Sequence, residues 1–216
     1  MSIDEYVEGG TTVSGHEFID NASRFRELHH VVAQTIDLAA DLPSRVFLVD
    51  YPTFCFFEDV TLFAEDFLQI LRELSAWSGD ESVLMAVLEP DPEGASSKSY
   101  GYYPWVLVET ENMTTEDYAA VFDHHPPDRP GEVFHDCFTR LAVLTVSRQW
   151  CVWVDRRWEV AILGIAGSGV PGVGGRGDSM LAAYWEGVDL ALEIVADVTR
   201  RPVTHEFAAA MRRNYS

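Results

Sequence analysis

LAVLTVSRQWCVWVDRRWEVAILGI, residues Leu141 to Ile165, consists of three apolar runs with polar breaks at Ser147–Gln149 and Asp155–Arg157. Short apolar runs joined by short polar breaks predict consecutive antiparallel strands. Side chains alternate between faces along a strand. Trp150, Val152 and Val154 therefore share one face, and Cys151 and Trp153 the other. In the next run Trp158, Val160, Ile162 and Ile165 mix with Ala161 and Leu163, so both faces are apolar. Such strands are covered on both sides, or covered on one side and adhesive on the other. The turn Asp155-Arg156-Arg157 lacks Asn-Gly or a glycine, so a loop of three or four residues is expected rather than the tightest hairpin.

Upstream, Ser14-Gly15-His16-Glu17 fits a capping box. Behind it Ile19, Ala22, Phe25, Leu28, Val32, Ile36 and Ala39 recur at helical spacing, up to Pro43. Arg45–Val49 and Thr53–Phe57 read as short strands. Glu58 and Asp59 read as the start of a second helix, with an inner stripe of Phe63, Phe67, Ile70, Leu71 and Leu74 and with Gly79 past its end. Ser82–Leu88 reads as a central strand, Trp105–Glu109 as another, and Thr114–Phe122 as a short helix capped by Thr114. Residues 89–101 and the proline-rich 124–131 read as loops. Downstream, a Gly-rich loop precedes what reads as the longest helix, Ser179–Thr199, and then a short helix from about Thr204. The expected architecture is α+β. A polar N-terminal arm spans 1–14. One domain spans 15–216, a mostly antiparallel mixed sheet packed by a long C-terminal helix and two or three other helices.

Formal charge is −20, from 35 acids against 15 bases in 216 residues. Such a field repels nucleic acid and anionic membranes and steers basic partners inward. No apolar run is long enough to span a bilayer, and the N-terminus lacks a basic and apolar leader. Cys55, Cys137 and Cys151 lie apart in apolar surroundings and read as reduced thiols of a cytoplasmic protein. Lys98 is the only lysine, a skew that reads as the coding bias of a GC-rich, bacterial genome.

Motifs for chemistry are thin. Gly167, Gly169 and Gly172 match G-x-G-x-x-G after a strand and before a helix. Pro171 removes an N–H from any phosphate nest there, and no Gly-Lys-Ser/Thr follows. A mobile linker or a lid over a small-molecule site are the two readings of residues 164–178. His124, His125 and His135, with Asp123, Asp128, Asp136 and Cys137, are the densest metal-capable group, but adjacent histidines in a loop rarely converge on one ion. No cofactor is expected. G-x-S-x-G is absent, and neighbouring acids such as Glu58/Asp59 and Glu65/Asp66 point apart on a helix, so no catalytic set is assigned.

The remaining candidate is a surface of Trp153, Asp155, Arg156, Arg157 and Trp158, since Trp and Arg dominate interface hot spots; the competing reading of the tryptophans is core. The same stretch, Trp150 to Leu163, resembles a W-x-[VIC]-W-x-[DE]-R-x-x-[DE]-x-A-[VI]-L pattern of uncharacterised acidic actinobacterial proteins, some of them immunity-protein-like. That resemblance covers about a tenth of the chain and transfers no functional residue. It implies a cytoplasmic, non-enzymatic protein that binds one partner. The expected function is binding of a basic protein, in the form of a toxin-neutralising immunity protein. The alternatives are a small-molecule site or enzyme under the 164–178 loop, and a homodimer joined through the aromatic hairpin.

Overall fold

A computed structural model describes residues 16–93, 102–125, 133–175 and 177–215. In chain order the strands are β1 (His16–Phe18), β2 (Thr53–Glu58), β3 (Ser82–Glu89), β4 (Trp105–Glu109), β5 (Arg140–Leu144), β6 (Trp150–Asp155) and β7 (Val160–Ile165). The helices are α1 (Ala22–Thr35), α2 (Glu65–Ser78), α3 (Thr115–Phe122), α4 (Met180–Ala183), α5 (Val188–Thr199) and α6 (His205–Asn214). The strands form one sheet in the order β1-β4-β3-β5-β6-β7-β2, and every neighbouring pair is antiparallel. The fold is α+β, as the patterning predicts. The first two strands lie at opposite edges of the sheet.

The three runs of the opening stretch become β5, β6 and β7, and every residue of β6 and β7 is buried. Helices cover both faces of the sheet, which is why these strands alternate between two apolar sets rather than between apolar and polar. On one face Phe25 of α1 packs on Trp105 at 4.7 Å, and Tyr215, at the end of α6, packs edge-on against Phe54 at 5.3 Å. On this face the Tyr51 ring lies over Gly164, where an added Cβ would come within 2.5 Å of the ring. On the other face Phe67 of α2 meets Phe57, and Ser78 Oγ accepts a hydrogen bond from Trp150 Nε1 at 3.4 Å. Trp105, Trp150 and Trp153 are among the largest fully buried side chains, and truncating one such ring costs about 3–5 kcal/mol. One core cluster runs from Ile19 to Tyr215.

Four element boundaries differ from the expectations. Residues 16–18 pair with Val106–Val108 as a strand, and α1 starts at Ala22, where Asn21 Oδ1 accepts from Ser23 N (2.8 Å) and Arg24 N (3.2 Å). The expected Ser14 cap and the 1–14 arm lie outside the described residues. Arg45–Val49 is not a strand beyond one bridge between Phe47 and Ile36. Its backbone is satisfied otherwise: Val46 N donates to the Tyr215 hydroxyl at 3.0 Å, and Leu48 N donates to Thr35 O at 2.9 Å. After Glu58 comes a 3₁₀ turn, Asp59–Phe63, and α2 begins only at Glu65; its end at Gly79, in the left-handed region, is as expected. The expected Ser179–Thr199 helix is broken into α4 and α5 by an extended Gly187. The break has a partner. Glu186 O accepts from Phe56 N at 3.0 Å, and Tyr184 O accepts from the Cys55 thiol at 3.4 Å, along the outer side of edge strand β2.

Candidate functional site: the β6–β7 turn and its neighbours

Asp155 ends β6 directly opposite Arg140, the first residue of β5. The pairing places both side chains on one face, where Asp155 has no solvent exposure. A buried carboxylate must be paired and fully hydrogen-bonded. Asp155 accepts from Arg140 Nε at 2.9 Å, from Arg157 N at 2.9 Å, from Arg157 Nε at 3.0 Å and from Arg157 Nη2 at 2.5 Å. Arg140, itself 12% exposed, also meets Asp41 at 3.0 Å and Glu89 at 3.3 Å. Glu89 reaches that position through a shift in register after Val87. Arg157 bridges to Asp41 at 3.2 Å, and Trp158 Nε1 donates to Asp41 Oδ1 at 3.0 Å. The hydrogen bonds it donates to Asp155 hold the Arg157 guanidinium more firmly protonated than usual.

A cleft of about 160 Å³ lies beside this network, with Trp153 and Arg140 among its lining residues and Asp37, Ala40 and Glu89 around it. It has room for a few waters. The chemistry of the cluster is that of an anchor. The Asp155 oxygens are fully committed, so the carboxylate has no lone pair directed at a substrate.

The five expected surface residues therefore diverge. Trp153 is 1% exposed and belongs to the core. Asp155 is buried, and Arg157 and Trp158 fold onto Asp41. Arg156 turns the other way: Nη1 donates to His135 O at 2.9 Å, and the guanidinium sits over the Phe138 ring at 5.5 Å. It lies 3.9 Å from Asp59, whose carboxyl is pushed above its usual range by burial, an effect that Arg156 partly offsets. Strand alternation explains the divergence, because consecutive residues at a strand end leave on opposite faces. Arg140, Asp41 and Glu89 were invisible as site residues in the sequence. The available signal was the hairpin register, which sets Arg140 opposite Asp155 once Thr145–Gln149 is read as the turn.

The Gly-rich loop is tightly packed at two of its glycines. A Cβ on Gly167 would come 2.6 Å from the Trp77 ring, and one on Gly172 would come 2.0 Å from Ser179 Oγ. Gly169 faces open space. The amides of Met180 and Leu181, at the start of α4, donate to the Glu73 carboxylate at 2.9 and 3.3 Å. A carboxylate already holds the N–H groups that a phosphate nest there requires.

His124 stacks on Phe18 at 4.0 Å, and burial, then His16, then His125 hold its pKa below the usual histidine value. His135 instead bonds Asp136 at 3.0 Å and meets Phe63 edge-on at 4.3 Å. His124 and His135 are thus held by different aromatic neighbours, and among the described residues no three His, Cys, Asp or Glu side chains are grouped to hold a metal. Asp128 lies outside the described residues. Burial pushes the Cys55 and Cys137 thiols up to about 12 and Cys151 well above its usual value, the opposite of a nucleophilic thiolate.

Among the described residues no helix is long and apolar enough to cross a membrane. In comparisons with known proteins, the chain matches no family model, no curated sequence and no solved structure.

Proposed function

We propose that this chain is a binding protein for a basic protein partner, with a toxin-neutralising immunity protein as the specific form of that reading. The observation that carries it is the division of charge. Five arginines are tied into the fold: Arg140 and Arg157 close on Asp155, and Arg72 donates to the Thr110 and Met113 carbonyls. Arg148 donates to Gln34, and Arg156 to His135 O. Acids remain on the outside, including Glu58, Glu65, Glu81, Glu109, Glu111, Glu193 and Asp197. The net formal charge of −20 therefore falls on an exterior rich, among the described residues, in unpaired carboxylates. Such a surface accelerates encounter with a cationic partner and rejects acidic ones.

The test is capture from the native host on immobilised protein, with a salt step and mass spectrometry of the eluate. A basic protein released by salt is the expected result, because screening removes steering and rim ion pairs. A retained set that is acidic, or that is indifferent to salt, overturns the reading, as does turnover of a metabolite by the purified chain. Protection of residues 164–178 from hydrogen exchange on addition of a metabolite would favour the lid reading instead. For the homodimer reading, light scattering gives the mass. Trp150 and Trp153 are already buried within one copy, which leaves Trp158 as the partly buried aromatic of that hairpin.

A further inference from the structure

We infer that the groove between α5 and α6 is the seat of an amphipathic helix with lysine or arginine along its flank, supplied by a protein partner. This rests on the binding reading above and names its surface. The groove has a volume of about 470 Å³. Its floor is Leu192 and Ala196 of α5 with Val203 and Ala208. The two alanines keep the floor low. Phe207 and Tyr215 turn away from it, toward Trp158 and toward Phe54 and Val46, so α6 is fixed in place by its other side.

One wall is acidic. Asp189 and Glu193 line the groove, and Asp197 continues their row at four-residue spacing along α5, each about 6 Å beyond the last. Arg212 closes one end by pairing with Asp189 at 2.8 Å. Glu193 and Asp197 are exposed and, among the described residues, have no ion pair. The row ends at Arg200 and Arg201, so the occupant's cations belong over Glu193 and Asp197 rather than beyond them. An apolar trough with a one-sided acidic wall fits the helix-in-groove mode, in which i and i+4 anchors fill the trough and the flanking charge sets the orientation. A neutral or acidic helix finds the same floor but meets repulsion at the wall.

The probe is a fluorescein-labelled synthetic helix of leucine and lysine, with its glutamate counterpart as control. Binding to the full chain is read by anisotropy at low salt and at about 0.5 M salt. The lysine peptide should bind at low salt, and the glutamate peptide should not. Glu193→Lys/Asp197→Lys should weaken binding by about tenfold or more, while Glu109→Lys/Glu111→Lys, the same change of charge elsewhere, should move it by less than about twofold. Ala208→Trp, which fills the trough without a change of charge, should weaken it as well. Circular dichroism and thermal melting check that each variant is folded. Equal losses for the two charge-reversed variants, or no loss with Ala208→Trp, overturn the groove, as does an absence of binding by the wild type. A basic partner captured from lysate whose binding ignores all three variants sinks the groove and leaves the binding reading standing.

Discussion

Two acidic regions use the same residue types in opposite ways. At the β6–β7 turn Asp155 is out of water and bonded to two guanidinium groups, with Asp41 and Glu89 closing the ring. On α5 Asp189, Glu193 and Asp197 stand in water along one row, and among the described residues only Asp189 has an arginine partner. In the first region every charge has a local reason to exist. In the second, like charges at four-residue spacing repel, a cost of about 0.2–0.5 kcal/mol per pair that the folded monomer does not recover. The chain's acidity is thus two populations, one structural and one superfluous to the fold.

The widest separation between them should come from truncation. Asp155→Ala leaves Arg140 and Arg157 around an empty, desolvated position, and it should cost about 3–5 kcal/mol in chemical denaturation. A loss below about 1 kcal/mol would mean that the buried cluster behaves like a surface pair. Next in size is Gly164→Ala, on the same face but without charge. The new methyl meets the Tyr51 ring at 2.5 Å and should cost about 1–3 kcal/mol, which separates tight packing from ion pairing as the source of sensitivity there.

An intermediate case is the half-buried pair His16 and His124. Burial lowers both below the usual 6.5, against Asp117 for His16 and with His16 and His125 adding for His124. A depressed folded-state pKa contributes stability that is complete above the unfolded value and is lost as pH falls through the folded value. Thermal melts of the wild type should therefore decline below pH 6.5 more steeply than those of His16→Gln/His124→Gln. Parallel curves would remove the pair from the account. The smallest effect belongs to α5. Glu193→Ala/Asp197→Ala should leave stability unchanged or raise it by a few tenths of a kcal/mol, and any gain should vanish in high salt. A loss above about 1 kcal/mol would move these acids into the structural population.

The strands were legible because period-two alternation is a local property. β4 matches the sequence reading to the residue, and β3, β6 and β7 follow the apolar runs. Boundaries were lost where a distant group decided them. The Tyr215 hydroxyl satisfies Val46 N from far along the chain, and Phe56 takes the Glu186 carbonyl. Nothing near Arg45 or Trp185 announces either bond. The site was half legible: Trp153, Asp155, Arg156, Arg157 and Trp158 read as an exposed patch, but Trp153 is core and the setting of the others depends on Asp41 and Arg140, which reach them only through the tertiary fold. The α5–α6 groove was illegible, because an acidic row in a helix pattern looks like any solvated face until the facing helix is placed.

The break at Gly187 also bears on solubility at high concentration. An open edge of six residues containing Phe54, Phe56 and Phe57 offers its free amides to any other extended chain, and so invites cross-chain pairing and fibril growth. By bending away from helical geometry, residues 184–187 cap that edge with the protein's own carbonyl at Phe56. A more regular C-terminal helix would leave the Phe56 amide open to another chain.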